Sequence, residues 1–308
     1  MGVMIDGQYF EDDPAPESET SGEFQRKASS IRNWIGQGNF TAEAGQYHLF
    51  VAWNCPWAHR ALLTRAVLGL EVAISVSYAK PRRTKLGWVF DADGAFGDPL
   101  LGVRAVHEVY GRHRPVYTGR ITVPVLWDKK TSVIVSNESA DIVRMLNAGF
   151  GGDLYRDDLS AQIDRWNDLI YPTFNNGVYR AGFARTQVAY DAGVADVFAT
   201  MDKIEAHLQI SRYLCGDRFS EADLRMFPTL ARFDVAYHYA FKCNLHRLMD
   251  YPNLWGYARE IYQMPGVAQT VNFNIYKQGY FSPSEMRNPL GIVPAGPVID
   301  WDVPHGRG

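Results

Sequence analysis

The sequence predicts an α/β domain followed by an all-α domain. Three observations carry that expectation: a strand, helix and strand succeed one another over residues 46–77, two further strands and a helix follow over 125–146, and helical periodicity replaces strand alternation from about residue 153 to 275. The length agrees, because 308 residues exceed what one hydrophobic core usually organises.

Residues 1–44 are polar and rich in Gly, Ser, Glu and Pro, which predicts a mostly irregular lead-in, with a short turn or arm at EFQRKASSIRNWI, that orders only by docking onto the domain. Residues 46–53 read as a strand and 56–68 as a helix, since Ala61, Leu62, Arg65, Ala66 and Leu68 recur at near-helical spacing before Gly69 stops the run. Residues 72–77 alternate and are β-branched, hence a second strand, parallel to the first through a right-handed crossover. From about 78 to 119 the pattern dissolves into Gly, Pro, Arg and Asp, a long insertion of the kind that is usually functional or disordered. Strands at 125–127 and 133–135 flank a polar turn at 128–131, and a helix runs over 138–146. These elements make a first domain of 45–148. After the glycine-rich break at 149–152, helices at 157–171, 191–208, 221–241 and 254–262 make a second domain of 153–308 with an irregular tail from Ser282. The segment FSEADL reads as a capping box, with Ser220 as N-cap, Asp223 in place of the usual Glu, and Phe219 and Leu224 as a hydrophobic staple.

Composition excludes several classes of function. Hydrophobic residues make up 46% and charged residues 21%, the balance of a folded globular chain. A net charge of -3 gives no strong field suited to nucleic acid or anionic lipid, although a local basic patch such as Lys80 to Lys85 can still form. The N-terminal residues lack a basic stretch followed by an apolar one, no apolar run reaches about 18 residues, and MGVMID carries Asp where a myristoylation signal wants Ser or Thr. A cytoplasmic protein with a small-molecule partner, binding neither nucleic acid nor membrane, is expected. Cys55, Cys215 and Cys243 are too few and too widely spaced for a disulfide framework or a zinc site, so no metal is expected. The 8 Trp, 17 Tyr and 16 Phe fit either a well-packed core or an aromatic pocket.

A β-α-β then β-β-α order with a cysteine at the first strand-to-helix junction is the thioredoxin-like arrangement. At that point unpaired N–H groups and the positive end of the helix dipole stabilise a thiolate, and Pro56 fits N1, where its missing N–H loses nothing. The run Cys55, Pro56, Trp57, Ala58 lacks the second cysteine of a dithiol oxidoreductase, so the simpler chemistry draws on an external thiol such as glutathione. Cys215 and Cys243 read as small buried hydrophobes. Val123 precedes Pro124 where thioredoxin-like folds place a cis-proline, and its backbone can pair with the cysteinyl part of a peptide. Glu138 and Ser139 open a helix whose N–H groups can hold a γ-glutamyl carboxylate while Glu138 takes the ammonium; ordinary capping by Asn137 or Ser136 is the competing account.

With these residues together the chain resembles the glutathionyl-hydroquinone reductases, the Xi class of the glutathione transferase superfamily. The resemblance runs from about residue 24 through NCPWAHR (54–60), ITVPVLWD (121–128), SNESADI (136–142), NNGVYRAGFA (175–184), RFDVAYH (232–238) and NPLGIVPAGP (288–297). It departs at QGYFSPSEMRNP, where the family has a histidine and paired tyrosines. It implies a thioredoxin-like domain followed by a helical glutathione-transferase-type domain, a homodimer, and glutathione-dependent reduction of glutathionyl-hydroquinones through a mixed disulfide on Cys55. It further implies glutathione contacts at Trp88, Arg104, Val123, Glu138 and Ser139, catalytic tyrosines at Tyr179 and Tyr237, and an aromatic-substrate site of Tyr179, Tyr237 and Tyr280. Aromatic packing competes with that role for Tyr237 and Tyr280, and Trp57 stays open between packing and substrate contact. The rival functions are an omega-like thioltransferase or dehydroascorbate reductase, a non-catalytic binding module of the same fold, and a conjugating transferase, which would use Tyr or Ser in place of Cys55.

Overall fold

The computed structural model describes residues 2–14 and 21–307, in two compact units: one of 2–14 with 28–152, the other of 21–27 with 153–307.

The first unit contains, in chain order, β1 (Val3–Ile5), β2 (Gln8–Phe10), β3 (Tyr47–Ala52), α1 (Pro56–Val67), β4 (Ile74–Ala79), α2 (Val106–His113), β5 (Gly119–Arg120), β6 (Val125–Asp128), β7 (Val133–Ser136) and α3 (Ser139–Gly149). Its main sheet has the order β4-β3-β6-β7, with β3 parallel to β4 and antiparallel to β6, and β6 antiparallel to β7. Every residue of β3 is buried, which is why YHLFVA reads as a nearly continuous apolar run. α1 and α3 pack together.

The polar exception in β3 is His48. Its Nδ1 lies 2.7 Å from Ser75 Oγ and its Nε2 2.8 Å from Ser77 Oγ, both on β4. Ser77 Oγ donates to Asp98 Oδ1 at 2.8 Å. A hydroxyl has one proton, so Nε2–H must donate to Ser77, and in the neutral ring Nδ1 then accepts from Ser75. Burial agrees, lowering the His48 pKa to about 4 against a weaker opposing pull from Asp98.

Two expectations are corrected here. The stretch 1–44 is not irregular throughout: β1 and β2 form a hairpin around Asp6 and Gly7, both at positive φ, and β1 also pairs with β5. An Asp-Gly pair between alternating residues is the signature of that tight turn, so the signal was present in the sequence. Further on, Ile31 and Ile35 are buried, Asn33 N–H donates to Val135 O at 2.9 Å and Asn137 N–H to Ile31 O at 3.1 Å. The insertion is also ordered. Asp98, buried, accepts from the amides of Leu100 (3.2 Å), Leu101 (3.1 Å) and Val103 (3.1 Å), and α2 comes after it with Val106, Val109 and Tyr110 inward. One buried carboxylate leaves no periodic trace, whereas the spacing of those three apolar residues does.

The second unit contains α4 (Ser160–Ile170), a π-turn (Tyr171–Asn175), α5 (Gly177–Gly182), α6 (Gln187–Leu208), α7 (Glu221–Leu230), a second π-turn (Phe233–Tyr237), α8 (His238–Ala240), α9 (Pro252–Tyr262) and α10 (Phe273–Tyr280). The helix expected over 221–241 is thus interrupted. Pro228 removes one N–H from α7, and the chain then widens into the second π-turn. The start of α7 has the capping box: Asp223 accepts from Ser220 N–H and Ser220 Oγ, both at 2.8 Å, and also from Leu214 N–H (2.9 Å) and Tyr257 Oη (2.7 Å). The irregular tail is held down by Trp301, stacked on Phe273 at 5.3 Å, and by Arg307, 2.8 Å from Glu260.

His48 gives a pH signature. Its folded pKa lies below the ordinary value near 6.5, so its stability contribution is complete above that value and is lost as pH falls from there to about 4. The loss is about 3 kcal/mol over the window. Denaturant melts of wild type and His48→Gln from neutral pH to pH near 4 should show a steeper decline in the wild type; parallel declines would reject the account.

Candidate active site

Cys55 is the N-cap residue of α1, in extended conformation (φ -82, ψ 116), with Pro56 next in the chain and no acidic residue in the first turn. Its carbonyl accepts from His59 N–H at 3.0 Å, which starts the helix. Its Sγ lies 3.5 Å from the carbonyl oxygen of Val123, the residue of the cis Val123–Pro124 bond. The thiol therefore sits where the helix dipole favours the thiolate and beside the backbone expected to meet a peptide. Cys55 is partly exposed, and none of the three cysteines is in a disulfide. Burial raises the pKa of the other two, Cys215 to about 11 and Cys243 to about 12, so neither competes as a thiolate near neutrality.

α2, which the sequence reading missed, supports Val123. Tyr110 Oη donates to Thr122 O at 3.0 Å and accepts from Asn137 Nδ2 at 3.0 Å, so α2, the segment that leads into β6 and the one that leads into α3 meet at one hydroxyl. The Val123 side chain is buried, while its N–H has no acceptor among the described residues. Glu138 proves to be the N-cap of α3 itself, in place of Asn137 or Ser136: its carboxylate accepts from Ala140 N–H (3.0 Å) and from Ser29 Oγ (3.0 Å). Ser139, buried, is the first helical residue, with Oγ 3.5 Å from Glu138. Trp88 and Arg104, for which periodicity offered no support, flank an antiparallel bridge between Val89 and Ala105, with Val106 N–H donating to Trp88 O (2.9 Å) and Phe90 N–H to Arg104 O (2.8 Å). Trp88 and Cys55 pack against the same core, whereas the Arg104 side chain projects into solvent, 89% exposed. Trp57 carries the Arg60 guanidinium 4.6 Å above its ring.

In the helical unit the structure brings the three named tyrosines together. Tyr280 Oη lies 2.7 Å from Tyr179 Oη and 2.9 Å from Tyr237 Oη, so Tyr280 is the centre of a hydroxyl chain. Tyr237 is fully buried, and burial pushes Tyr237 and Tyr280 well above the ordinary tyrosine pKa, which keeps both protonated and able to donate. Sequence reasoning missed what surrounds them. Phe241 packs edge-on against Tyr179 at 5.2 Å, Phe183 stacks parallel to it at 6.0 Å, and Phe24 lies 5.2 Å from Phe183. Three guanidiniums lie on aromatic faces here: Arg232, fully buried, over Tyr276 (3.8 Å), Arg26 over Tyr179 (5.2 Å) and Arg287 over Phe183 (4.2 Å). No spacing rule marks these arginines.

Comparison with known proteins places this architecture. Residues 54–148 match the family model for the glutathione S-transferase N-terminal domain, and residues 187–260 that for the C-terminal domain. The chain is 48% identical to glutathionyl-hydroquinone reductase YqjG of Escherichia coli (strain K12), over 100% of this chain and 98% of that one. It superposes on the Xi class glutathione transferase from Natrialba magadii with a TM-score of 0.92 at 42% identity, covering 100% of this chain and 96% of the other. The chain belongs to the Xi class of glutathione transferases, the glutathionyl-hydroquinone reductases. The glutathione-bound structure of YqjG superposes on it with a TM-score of 0.87, covering 90% of this chain and 96% of that one.

The thiol environments of this Xi-class chain predict a labelling order. Brief iodoacetamide treatment of the native protein near neutral pH should alkylate Cys55 and leave Cys215 and Cys243 intact until denaturant is added, as read by peptide mass spectrometry. Equal labelling of all three in the native state would contradict the burial argument.

Proposed function

We propose that the protein reduces S-glutathionyl-hydroquinones to hydroquinones, with Cys55 as nucleophile and glutathione as co-substrate. The observation that carries the reading is Cys55 itself: a thiol at a helix N-terminus, beside the Val123 backbone, with alanine where a dithiol enzyme has its second cysteine.

The Cys55 thiolate attacks the glutathionyl sulfur of the keto tautomer of the substrate. A sulfur–sulfur bond forms, the carbon–sulfur bond breaks, and its electron pair enters the ring. The ketone oxygen becomes a phenol oxygen and takes up a proton. Carbon is reduced, and the glutathionyl sulfur is oxidised to the disulfide level. A second glutathione thiolate then attacks the mixed disulfide, freeing Cys55 and releasing glutathione disulfide. In this reading Tyr179 and Tyr237 hydrogen-bond the substrate oxygens and supply the proton, with Tyr280 linking them. The unpaired Val123 N–H is suited to the cysteinyl carbonyl of glutathione. Ser139 and the α3 N-terminus, with Glu138, hold the γ-glutamyl end, Trp88 stacks on the peptide and Arg104 takes a carboxylate. The protein works as a cytoplasmic homodimer without a resident metal. No helix among the described residues is long and apolar enough to cross a membrane.

The test is hydroquinone release from a glutathionyl-hydroquinone. Cys55→Ala should abolish it, and Tyr237→Phe should lower kcat on the order of 100-fold through loss of proton donation. Faster turnover of dehydroascorbate than of the conjugate by the wild type would favour a thioltransferase instead.

A further inference from the structure

Arg287 is an anomaly in the aromatic cluster. It stands in the irregular tail, and its guanidinium lies 4.2 Å from the ring centre of Phe183 and 5.9 Å from that of Phe241. The residue is exposed, yet no carboxylate pairs with it among the described residues, although the other tail arginine, Arg307, is held by Glu260. No acceptor holds its side-chain N–H groups among the described residues, and the guanidinium lies against ring faces instead. A guanidinium on an aromatic face keeps its in-plane N–H edge open, and that edge matches the two oxygens of a carboxylate.

The neighbours show where such a carboxylate would lie. Phe183 and Phe241, which carry Arg287, also contact Tyr179, whose hydroxyl begins the chain to Tyr280 and Tyr237. Arg26 covers Tyr179 at 5.2 Å and is oriented by Asn176 Oδ1 at 3.1 Å. Although the residue keeps an exposed surface, partial burial of its guanidinium lowers the Arg287 pKa, and Tyr179 counteracts that shift. The cluster thus joins three phenol hydroxyls for the oxygens of a ring to an open cation for an acidic group on it.

We propose that Arg287 selects hydroquinones bearing a ring carboxylate, its guanidinium binding that carboxylate while the tyrosine chain binds the phenolic oxygens. The inference rests on the hydroquinone-reductase reading for the reaction and adds the substrate class. Arg287 is a specificity residue with no part in the bond changes at sulfur.

The experiment compares two conjugates, glutathionyl-hydroquinone and glutathionyl-dihydroxybenzoate, with wild type, Arg287→Gln and Arg287→Lys. The wild type should favour the carboxylated conjugate on the order of tenfold in kcat/KM, through KM, as a charge-assisted hydrogen-bonded pair supports. Arg287→Gln should bring the ratio to about one, Arg287→Lys should keep part of it, and added salt should erode it in the wild type. A wild-type ratio of about one, or a ratio that survives Arg287→Gln, overturns the proposal. Calorimetric titration of the three proteins with free dihydroxybenzoate and with free hydroquinone reads the same preference without turnover. Absence of all turnover with retained, Arg287-dependent binding of the benzoate would reject the reductase reading and leave the site standing.

Discussion

Carboxylate oxygens that accept main-chain N–H groups hold together the parts of this protein that periodic structure does not. Asp98 gathers the amides of Leu100, Leu101 and Val103. Asp128 turns the β6–β7 connection by accepting from Lys130 and Thr131, and Asp234 does the same for Leu248 and Met249. Glu205 receives the first amides of α9, from Asn253 and Leu254, and Asp223 joins the loop before α7 to the helix and to Tyr257. Each accepted bond is charge-assisted and stronger than its neutral counterpart. A helix N-terminus or loop offers several orphaned donors at once, so a single acidic side chain orders a whole segment.

That mode of organisation explains what the sequence revealed and what it concealed. The main sheet, α1 and α3 follow from alternation and helical spacing, and the Cys55–Pro56 junction follows from what a helix start does to a thiol. The Ser220–Asp223 box was legible because its two residues are close in sequence. Asp98 was not, since its partner Ser77 lies on another strand and its amide donors follow no period. The β1–β2 hairpin and α2 carried readable signals, an Asp-Gly pair and three apolar residues at helical spacing, which the surrounding polar composition outweighed. The tyrosines came from family resemblance alone. Their mutual hydrogen bonds, and the arginines on the rings around them, are three-dimensional facts without a linear counterpart.

The two chemistries that the reaction needs are set by opposite electrostatic environments. At Cys55 a helix N-terminus favours the charged form of an acid. At Tyr237 and Tyr280 burial favours the neutral form. The proposed reaction asks for an ionised nucleophile and a protonated donor, and these two environments are of the kind each role requires. Arg232, buried against Tyr276, keeps a positive charge near the tyrosines.

The π-turn at Phe233–Tyr237 gives this arrangement an unusual dependence. A π-turn holds one residue more than the α-helical turn it replaces, and each residue advances a helix by about 100°. Loss of any one residue within that turn, even one whose side chain touches nothing in the cluster, would return the chain to regular winding and swing the phenol of Tyr237 about a quarter-turn away from Tyr280. The amino acids of the cluster would all still be present, and a comparison of residue identities would find nothing missing. What distinguishes a working cluster from a silent one here is a matter of counting along the chain.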